Sequence, residues 1–279
     1  MQIKTILVYL PSVKVAEIVM ATVAKIAEPG KVHVIGFHVS QAFPLPTELS
    51  VEVSPDVYEQ ICAANRKNAD AVRGAFEQTA NVSQLDHEWR YLDVPYTAGE
   101  DEILAETHCA DLIVCAKPSD ETIDAWSEFP ETALLHSGRP VLLLPASGKD
   151  TSFGRHIVIA WNNTRESARA VFDSLEFLGK AASIRAVTLI ENEDQRASAE
   201  VAGARLLAAL SRHGIPAKFE VSFAGDDGAG EVLLSRLMDE GCDLLVMGGY
   251  SHSPLREMIF GGASRVILRE TWVPTLVSH

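Results

Sequence analysis

The chain has 279 residues, of which 47% are hydrophobic and 22% are charged, a composition typical of a folded globular protein of about two domains. Its net charge of −14 argues against a dedicated nucleic-acid-binding protein, because such a protein needs clustered Lys and Arg to contact phosphates. The longest apolar runs fall far short of the ~20 residues that span a bilayer, so no transmembrane helix and no membrane partner are expected.

The first residues predict a strand over Ile6–Val8 and not a secretory signal, because no basic segment is followed by a long apolar stretch. The four cysteines form no CxxC pair and are most simply reduced thiols. Both features favour a cytoplasmic protein.

A helix follows the first strand, since apolar residues recur at helical spacing at Ala16, Val19, Val23 and Ile26. The later stretch Ser40–Asp56 is rich in Pro, Ser and Val and predicts a surface loop. Two short apolar runs, Leu112–Cys115 and Val141–Leu144, are typical of strands buried on both faces of a parallel sheet. The small, polar, Gly-containing segment Ala146–Gly154 then predicts a linker.

The second half begins with a predicted strand over Ile157–Ala160. A helix follows, marked by apolar residues at Ala168, Val171, Leu175 and Leu178. A further apolar run, Leu244–Met247, predicts another buried strand.

The two halves form an internal repeat. Ile6–Tyr9 matches Ile157–Ala160 at an offset of 151 residues, and Asp111–Cys115 matches Asp243–Met247 at an offset of 132. The first half therefore carries 19 extra residues. Strands alternate with helices in both halves, which predicts two tandem, doubly wound α/β domains over residues 1–147 and 154–279.

Charge is divided unequally between the halves. Residues 1–147 carry 10 basic and 21 acidic residues, a net charge of −11, whereas residues 148–279 have a net charge of −3. The second half therefore accommodates a polyanionic ligand more easily.

The densest functional signal follows the strand Leu244–Met247. Gly248 and Gly249 precede a polar loop, and a second glycine pair opens a predicted helix over Ala263–Arg269. Helix amino termini present unpaired N–H groups and a partial positive charge, so this arrangement predicts a phosphate site. In the alternative interpretation, the glycines only relieve crowding at the strand end and terminate a helical turn.

This loop resembles the motif of the universal stress protein family, with Gly248, two residues, Ser251, nine residues and then Gly261–Gly262. The runs Asp243–Ser253 and Val273–Val277 are also similar to that family, and the duplication resembles its tandem two-domain members. The resemblance implies the adenine nucleotide alpha hydrolase-like fold with strand order 3-2-1-4-5. It also implies a stress-response protein that binds ATP or another adenine nucleotide, with Mg²⁺ as a candidate companion ion.

By position, the resemblance assigns nucleotide contacts to the strand ends and the glycine loop of the second half: Ala160, Asn162, Leu189, Met247, Gly248, Tyr250, Ser251, Gly261, Gly262 and Ala263. Three of these depart from the family pattern, because Ser251 replaces a Gly, Gly262 replaces a hydroxyl residue and Asn162 replaces an Asp. Asn162 loses the charge but keeps a hydrogen-bonding amide. The neighbouring Trp161 can cover a base or pack under the next loop.

The matching positions of the first half hold Pro11, Lys117, Pro118 and Glu128. Prolines donate no N–H, and a carboxylate repels phosphate. We therefore predict a structural copy without a nucleotide site in residues 1–147.

The strand order also predicts where the site lies and how the halves associate. In open α/β sheets, ligands bind beyond the carboxyl ends of strands where the chain order reverses, which places Asn162 opposite Gly248. In this family, domains pair through their last strands, here Val141–Leu144 and Thr275–Val277. This implies an intramolecular pseudo-dimer, with a homodimer of chains as a weaker expectation.

Two other function classes are alternatives to this interpretation. Gly249–Ser253 resembles the G-x-S-x-G elbow of α/β-hydrolases, but the final Gly is missing and no acid followed by a suitably placed His lies downstream. No general base, nucleophile or set of metal ligands stands out, so neither an enzyme nor a protein-held metal is expected. The remaining alternative is a nucleotide-free stress-response adaptor that acts through protein contacts.

Overall fold

A computed structural model describes residues 2–41, 55–94, 100–117, 128–145, 153–225, 228–249, 267 and 271–279. The chain divides into an amino-terminal unit, residues 4–137, and a carboxyl-terminal unit, residues 1–3 and 138–279. Strands and helices alternate in both units, which confirms the predicted α/β class. Within the described ranges, no helix combines the length and apolar character needed to cross a membrane.

In the described part of the amino-terminal unit, four parallel strands lie in the order β3-β2-β1-β4. Val8 on β1 lies opposite Gly36 on β2 and Val114 on β4. Its elements, in chain order, are β1 (Thr5–Tyr9), α1 (Val13–Ile26), β2 (His33–Gln41), α2 (Pro55–Val82), β3 (Asp86–Val94), α3 (Glu100–Ala105), β4 (Leu112–Ala116) and α4 (Phe129–His136).

Six strands lie within the described ranges of the carboxyl-terminal unit. Its elements are β5 (Val141–Leu144), β6 (His156–Ala160), α5 (Arg165–Asp173), α6 (Leu175–Leu178), β7 (Ser183–Ile190), a short 3-10 helix (Glu193–Gln195), α7 (Arg196–Arg212), β8 (Lys218–Phe223), α8 (Gly228–Asp239), β9 (Leu244–Gly248) and β10 (Thr275–Ser278). The order β8-β7-β6-β9-β10 is parallel and equals the predicted 3-2-1-4-5. The sheet differs from the prediction in one detail, because β5 is added antiparallel to β10.

The predicted apolar strands form the core of each unit. Ile6, Leu7 and Val8 are fully buried, as are Leu244, Leu245 and Val246. Helix α1 begins where the Ser12 side chain accepts a hydrogen bond from the Val15 N–H, and it buries its predicted apolar stripe against the sheet. Burial of these continuous apolar runs supplies most of the driving force for folding.

The single helix predicted through Ala168, Val171, Leu175 and Leu178 is wrong. Two helices are present, α5 and α6, and Ser174 separates them. Ser174 is fully buried, and its Oγ donates a hydrogen bond to the Val171 carbonyl at 2.9 Å. This local bond competes with the helical pattern, while the apolar spacing continues across the break.

The surface loop predicted over Ser40–Asp56 is shorter than expected. Ser40 and Gln41 extend β2, because their pairing with β3 continues as far as Val94. Pro55 and Asp56 already belong to α2, which has 28 residues against 17 in α7. Part of the extra length of the first half is therefore helix, and residues 42–54 lie outside the described residues.

Each unit contains an aspartate latch, a carboxylate that binds the backbone at the start of the central strand. Asp111 forms the latch of the amino-terminal unit and Asp243 that of the carboxyl-terminal unit, which explains part of the sequence repeat. The Asp111 carboxylate accepts hydrogen bonds from the N–H groups of Lys4 and Thr5 at 2.8 and 3.0 Å. The Asp243 carboxylate accepts them from Arg155 and His156 at 3.1 and 2.8 Å. Each aspartate thus fixes the start of the central strand beside the strand that it precedes.

The predicted domain limits, 1–147 and 154–279, stay a prediction. The two compact units divide between Ser137 and Gly138, so β5 is grouped with the carboxyl-terminal unit. The reason is the antiparallel pairing of Val141 and Leu143 with Val277 and Thr275. The pseudo-dimer and the linker over residues 146–154 remain predictions.

Candidate functional site

Three neighbouring strands of the carboxyl-terminal unit end beside one another. Ala160 on β6 lies opposite Val187 on β7 and Met247 on β9. Leu189 lies two residues beyond Val187, and Gly248 ends β9. The ends of β6, β7 and β9, here named the carboxyl edge, therefore collect four of the predicted site residues. The chain order reverses between β6 and β9, so this edge is where an open α/β sheet binds its ligand.

Asn162 lies in the connection from β6 to α5 and is exposed. Its Oδ1 accepts a hydrogen bond from the Thr164 hydroxyl at 2.8 Å and a longer one from the Thr164 N–H at 3.4 Å. Asn163 has a φ of 57°, a left-handed conformation that Asn tolerates better than most residues. Asn162 therefore helps to hold the turn that enters α5.

The amino terminus of α5 is closed by a capping box. The Thr164 Oγ1 accepts the Ser167 N–H at 3.3 Å, and the Thr164 N–H donates to the Ser167 Oγ at 3.1 Å. Burial of Glu166 opposes its ionisation, but hydrogen bonds from its own N–H and from Thr164, with the Arg165 guanidinium, hold the pKa of this carboxyl below its usual value. A negative charge therefore lies beside the first turn of α5.

Gly248 is required by packing. A Cβ at this position would lie 2.5 Å from the Ser167 backbone nitrogen and 2.7 Å from the Glu166 carbonyl carbon. Such contacts are too short for any side chain, so only glycine lets β9 pass under the first turn of α5. The first glycine of the sequence motif thus has a structural function whether or not a ligand binds.

Trp161, for which the sequence left open whether it covers a base or packs under the next loop, lies at the end of β6. Its backbone is held by its N–H bond to the Val187 carbonyl and by the Thr188 hydroxyl, which donates to the Trp161 carbonyl at 2.6 Å. The residue is 8% exposed, and its indole Nε1 has no hydrogen-bond partner among the described residues. A buried donor left unpaired costs about 1–3 kcal/mol, so native proteins retain few of them. Its position directly after Ala160 was the only signal in the sequence.

The other predicted contacts lie outside the described residues. These are Tyr250, Ser251, Gly261, Gly262 and Ala263, all in the glycine loop or the predicted helix that follows it. The phosphate-binding part of the predicted site therefore remains a prediction from the sequence.

The corresponding edge of the amino-terminal unit is filled by aromatic rings. Tyr9, which matches Ala160, stacks on Phe129 with ring centroids 4.2 Å apart, and Phe37 contacts both rings at about 6 Å. Lys117, which matches Gly249, follows β4 and is buried. Large side chains thus occupy the positions that small residues hold in the other unit.

A cavity of about 480 Å³ lies at the opposite ends of β6, β7 and β8. Arg185 lines it, but its guanidinium is already paired with Glu220 at 3.1 Å and Glu240 at 3.0 Å. Since ligands of open α/β sheets bind at the carboxyl ends of strands, we do not place the site in this cavity. Among the described residues, no three metal-ligating side chains lie close enough together to hold an ion.

Residues 155–279 match the model of the universal stress protein family. The resemblance noted in the glycine loop is thereby confirmed for this region, which is a little under half of the chain. No curated protein matched the chain.

Solved structures of similar fold cover nearly the whole chain. A universal stress protein from Archaeoglobus fulgidus DSM 4304 is 16% identical, with a TM-score of 0.73 over 100% of this chain and 99% of that one. The functionally unknown protein PA1789 from Pseudomonas aeruginosa PAO1 is 14% identical, with a TM-score of 0.56 over 99% and 92%. The cytoplasmic domain of a prokaryotic cation chloride cotransporter is 12% identical, with a TM-score of 0.54 over 99% and 95%. These similarities establish the fold.

Proposed function

We propose that the carboxyl-terminal unit binds ATP or another adenine nucleotide at the carboxyl edge of β6, β7 and β9, and that the protein acts in the stress response. The family match of residues 155–279 supports the stress-response role. The observation that carries the nucleotide proposal is the buried indole N–H of Trp161 at this edge, which has no hydrogen-bond partner in the part of the chain that the structure describes. A purine ring carries acceptor nitrogens that can pair with such a donor.

The residues of the edge suit the parts of a nucleoside. The half-buried Leu189 offers apolar surface for a base, while Ala160 leaves space beside it. The exposed Asn162 amide can donate to ribose oxygens while its Oδ1 remains bonded to Thr164. We assign the phosphates to the glycine loop on the basis of the family resemblance alone.

The proposed role is binding without turnover. None of Ala160, Asn162, Leu189, Met247 and Gly248 has a side chain that can act as a nucleophile or a general base. The carboxylate of Glu166 is held in place by its hydrogen bonds with Thr164 and Arg165. These residues support recognition of a ligand more readily than chemistry upon it.

Isothermal titration of the full chain with ATP and Mg²⁺ tests the proposal. We expect at most one site per chain, because Tyr9 and Phe129 fill the matching edge of the amino-terminal unit. Two equivalent sites would contradict that asymmetry. The absence of any binding would favour the second candidate, the nucleotide-free adaptor. The negative charge of Glu166, whose backbone lies beside Gly248, supports this candidate because a carboxylate repels phosphate.

A matched pair of tryptophan variants tests whether the indole N–H of Trp161 contacts the nucleotide. Trp161→Phe keeps an aromatic ring but removes the N–H, so the affinity for ATP should fall about two- to tenfold, as expected for one hydrogen bond of ~0.5–1.5 kcal/mol. Trp89→Phe removes an indole from β3 in the other unit and should leave the affinity unchanged. Equal affinities in both variants would place the nucleotide away from Trp161.

A further inference from the structure

The cavity at the amino ends of β6, β7 and β8 has no function in the nucleotide proposal. Its volume of about 480 Å³ lies within the range of ~300–1,000 Å³ that is usual for small-molecule sites. Ser183 begins β7 at the cavity, whereas Leu189 lies near the other end of that strand, about 20 Å away at ~3.3 Å per residue. The cavity is therefore a separate place in the carboxyl-terminal unit, and its occupant need not be a nucleotide.

Two cations lie side by side in this cavity. Arg185 on β7 is the register partner of Lys218 on β8. Arg185 also pairs with Glu220, two residues beyond Lys218, and alternate residues of a strand share one face of the sheet. The side chains of Arg185 and Lys218 therefore lie on the same face, where neighbouring like charges destabilise the sheet unless anions balance them.

The described residues balance only one of these two cations. Arg185 pairs with Glu220 at 3.1 Å and with Glu240 at 3.0 Å. Glu220 also pairs with Arg236 at 2.9 Å, so the two guanidinium groups and two carboxylates carry no net charge together. Lys218 is exposed and has no ion-pair partner within the described ranges. The cavity therefore retains one positive charge, which suits a ligand with one negative charge.

The rest of the cavity lining is uncharged and largely apolar. His156 and Ser183 are register partners, and the His156 Nδ1 lies within hydrogen-bond distance of the Ser183 Oγ at 2.8 Å. The apolar lining residues are Ile157, Val158, Ala182, Ile184, Pro216 and Ala217. A hydrocarbon chain gains free energy when such a surface removes it from water.

We propose that this cavity binds a small aliphatic carboxylate, with the carboxylate group at the Nζ of Lys218 and the hydrocarbon chain on the apolar lining. A phosphate ester carries close to two negative charges, and the carboxylates of Glu220 and Glu240 disfavour the second of them. The single charge and the apolar lining together favour the carboxylate. This inference does not rest on the nucleotide proposal, because it uses no residue of the carboxyl edge.

Ligand-observed NMR titration of the full chain with hexanoate at low ionic strength tests the proposal. We expect saturable binding with a Kd of about 1 mM, the affinity that burial of about five CH₂ or CH₃ groups supplies. Hexan-1-ol has the chain without the charge and inorganic phosphate has charge without the chain, so each should bind about fivefold more weakly. No saturable binding of hexanoate, or equal or tighter binding of either analogue, would overturn the proposal.

A matched pair of lysine variants locates the bound carboxylate. Lys218→Met removes the charge and keeps most of the side-chain length, so the affinity for hexanoate should fall about fivefold. Lys31→Met changes a lysine of the other unit whose side chain is 60% exposed, and it should leave the affinity unchanged. Equal affinities in the two variants would place hexanoate outside this cavity.

Crossed titrations separate this site from the proposed nucleotide site. Lys218→Met should leave the affinity for ATP unchanged, and Trp161→Phe should leave the affinity for hexanoate unchanged. A chain that binds hexanoate but no ATP would contradict only the nucleotide proposal, whereas one that binds ATP but no hexanoate would contradict only the carboxylate proposal. Competition between the two ligands would contradict the separation of the sites.

Discussion

At the residue scale, Gly248 shows how one position can satisfy two requirements. Its lack of a Cβ lets the backbone of β9 approach the first turn of α5, where Ser167 and Glu166 leave no space for a side chain. The same close approach brings the capped amino terminus of α5 to the carboxyl edge. A glycine in a nucleotide-binding motif can thus be retained for packing even where the ligand is lost.

The packing requirement predicts a large effect of Gly248→Ala. The added methyl group would overlap the backbone of α5, so we expect a loss of about 1–3 kcal/mol in the free energy of unfolding. Urea denaturation measures this loss. Gly74→Ala is the control, because a Cβ at Gly74 in α2 meets nothing within 4 Å and should add about 0.5–1 kcal/mol of stability. Unchanged stability of the Gly248 variant would show that α5 moves away freely.

The burial of Lys117 predicts that the free energy of unfolding depends on pH. The folded state lowers the pKa of Lys117 from 10.5 to about 7, so the unfolded chain binds more protons between these values and stability rises with pH across this window. Lys117→Met removes the penalty, which is of the order of 5 kcal/mol at about 1.4 kcal/mol per pKa unit. The gain should be largest at pH 6 and small above pH 10.5. Urea denaturation at pH 6, 8 and 10 measures it, and a pH-independent gain would contradict this account.

At the element scale, the aspartate latch of each unit joins the central strand to its neighbour in the sheet. It joins β1 to β4 in the amino-terminal unit and β6 to β9 in the carboxyl-terminal unit. Asp243 is 5% exposed, whereas Asp111 is less buried. Each carboxylate accepts two backbone N–H groups, and hydrogen bonds to a charged group are stronger than those between neutral groups. The latch therefore contributes to the alignment of β1 with β4 and of β6 with β9.

Removing the latch should destabilise the two units unequally. We expect Asp243→Ala to lower the free energy of unfolding by about 2–3 kcal/mol and Asp111→Ala by about 1–2 kcal/mol, because burial strengthens the bonds of Asp243. Circular dichroism during urea denaturation reports both. Asp70→Ala, at an exposed position on α2, should change stability by no more than about 0.5 kcal/mol. Equal effects at all three positions would show that the latch contributes nothing specific.

The elements also show which parts of the structure the sequence could predict. Continuous apolar runs located the central strands, because a strand buried on both faces leaves a distinct pattern. The break at Ser174 was missed, since its hydrogen bond to Val171 does not change the apolar spacing. The assignment of Ala160 and Met247 came from the family resemblance, and their register places both at the carboxyl edge. The buried Trp161 N–H, which has no partner among the described residues, could not be predicted because it depends on side-chain packing.

At the scale of the whole molecule, strand β5 is grouped with the carboxyl-terminal unit, although the predicted first domain includes it. It precedes the predicted linker, yet it pairs with β10 and belongs to the carboxyl-terminal unit. The repeat offsets alone did not group β5 with this unit, although the resemblance predicted association through Val141–Leu144 and Thr275–Val277. The pairing is consistent with the predicted association through last strands, and the pseudo-dimer itself stays a prediction.

Hydrogen exchange under mildly denaturing conditions tests the assignment of β5. We expect the amides of residues 141–144 to exchange together with those of residues 275–278, because the two strands share hydrogen bonds. Mass spectrometry of peptides measures the exchange. Residues 112–116 serve as the control and should exchange with residues 5–9, their partners in β1. Exchange of residues 141–144 with the β1 peptides would assign β5 to the other unit.

The pairing of β5 with β10 has a consequence for the nascent chain. Translation reaches Thr275 about 130 residues after Leu144, which takes roughly 7–26 s at ~5–20 residues per second. Throughout that delay Val141–Leu144, which is entirely apolar, lacks its antiparallel partner, and an unsatisfied strand edge can pair with another chain. The ribosome-bound intermediate is therefore most exposed to misassociation between these two points of its synthesis, when a chaperone that covers apolar strands would protect it best.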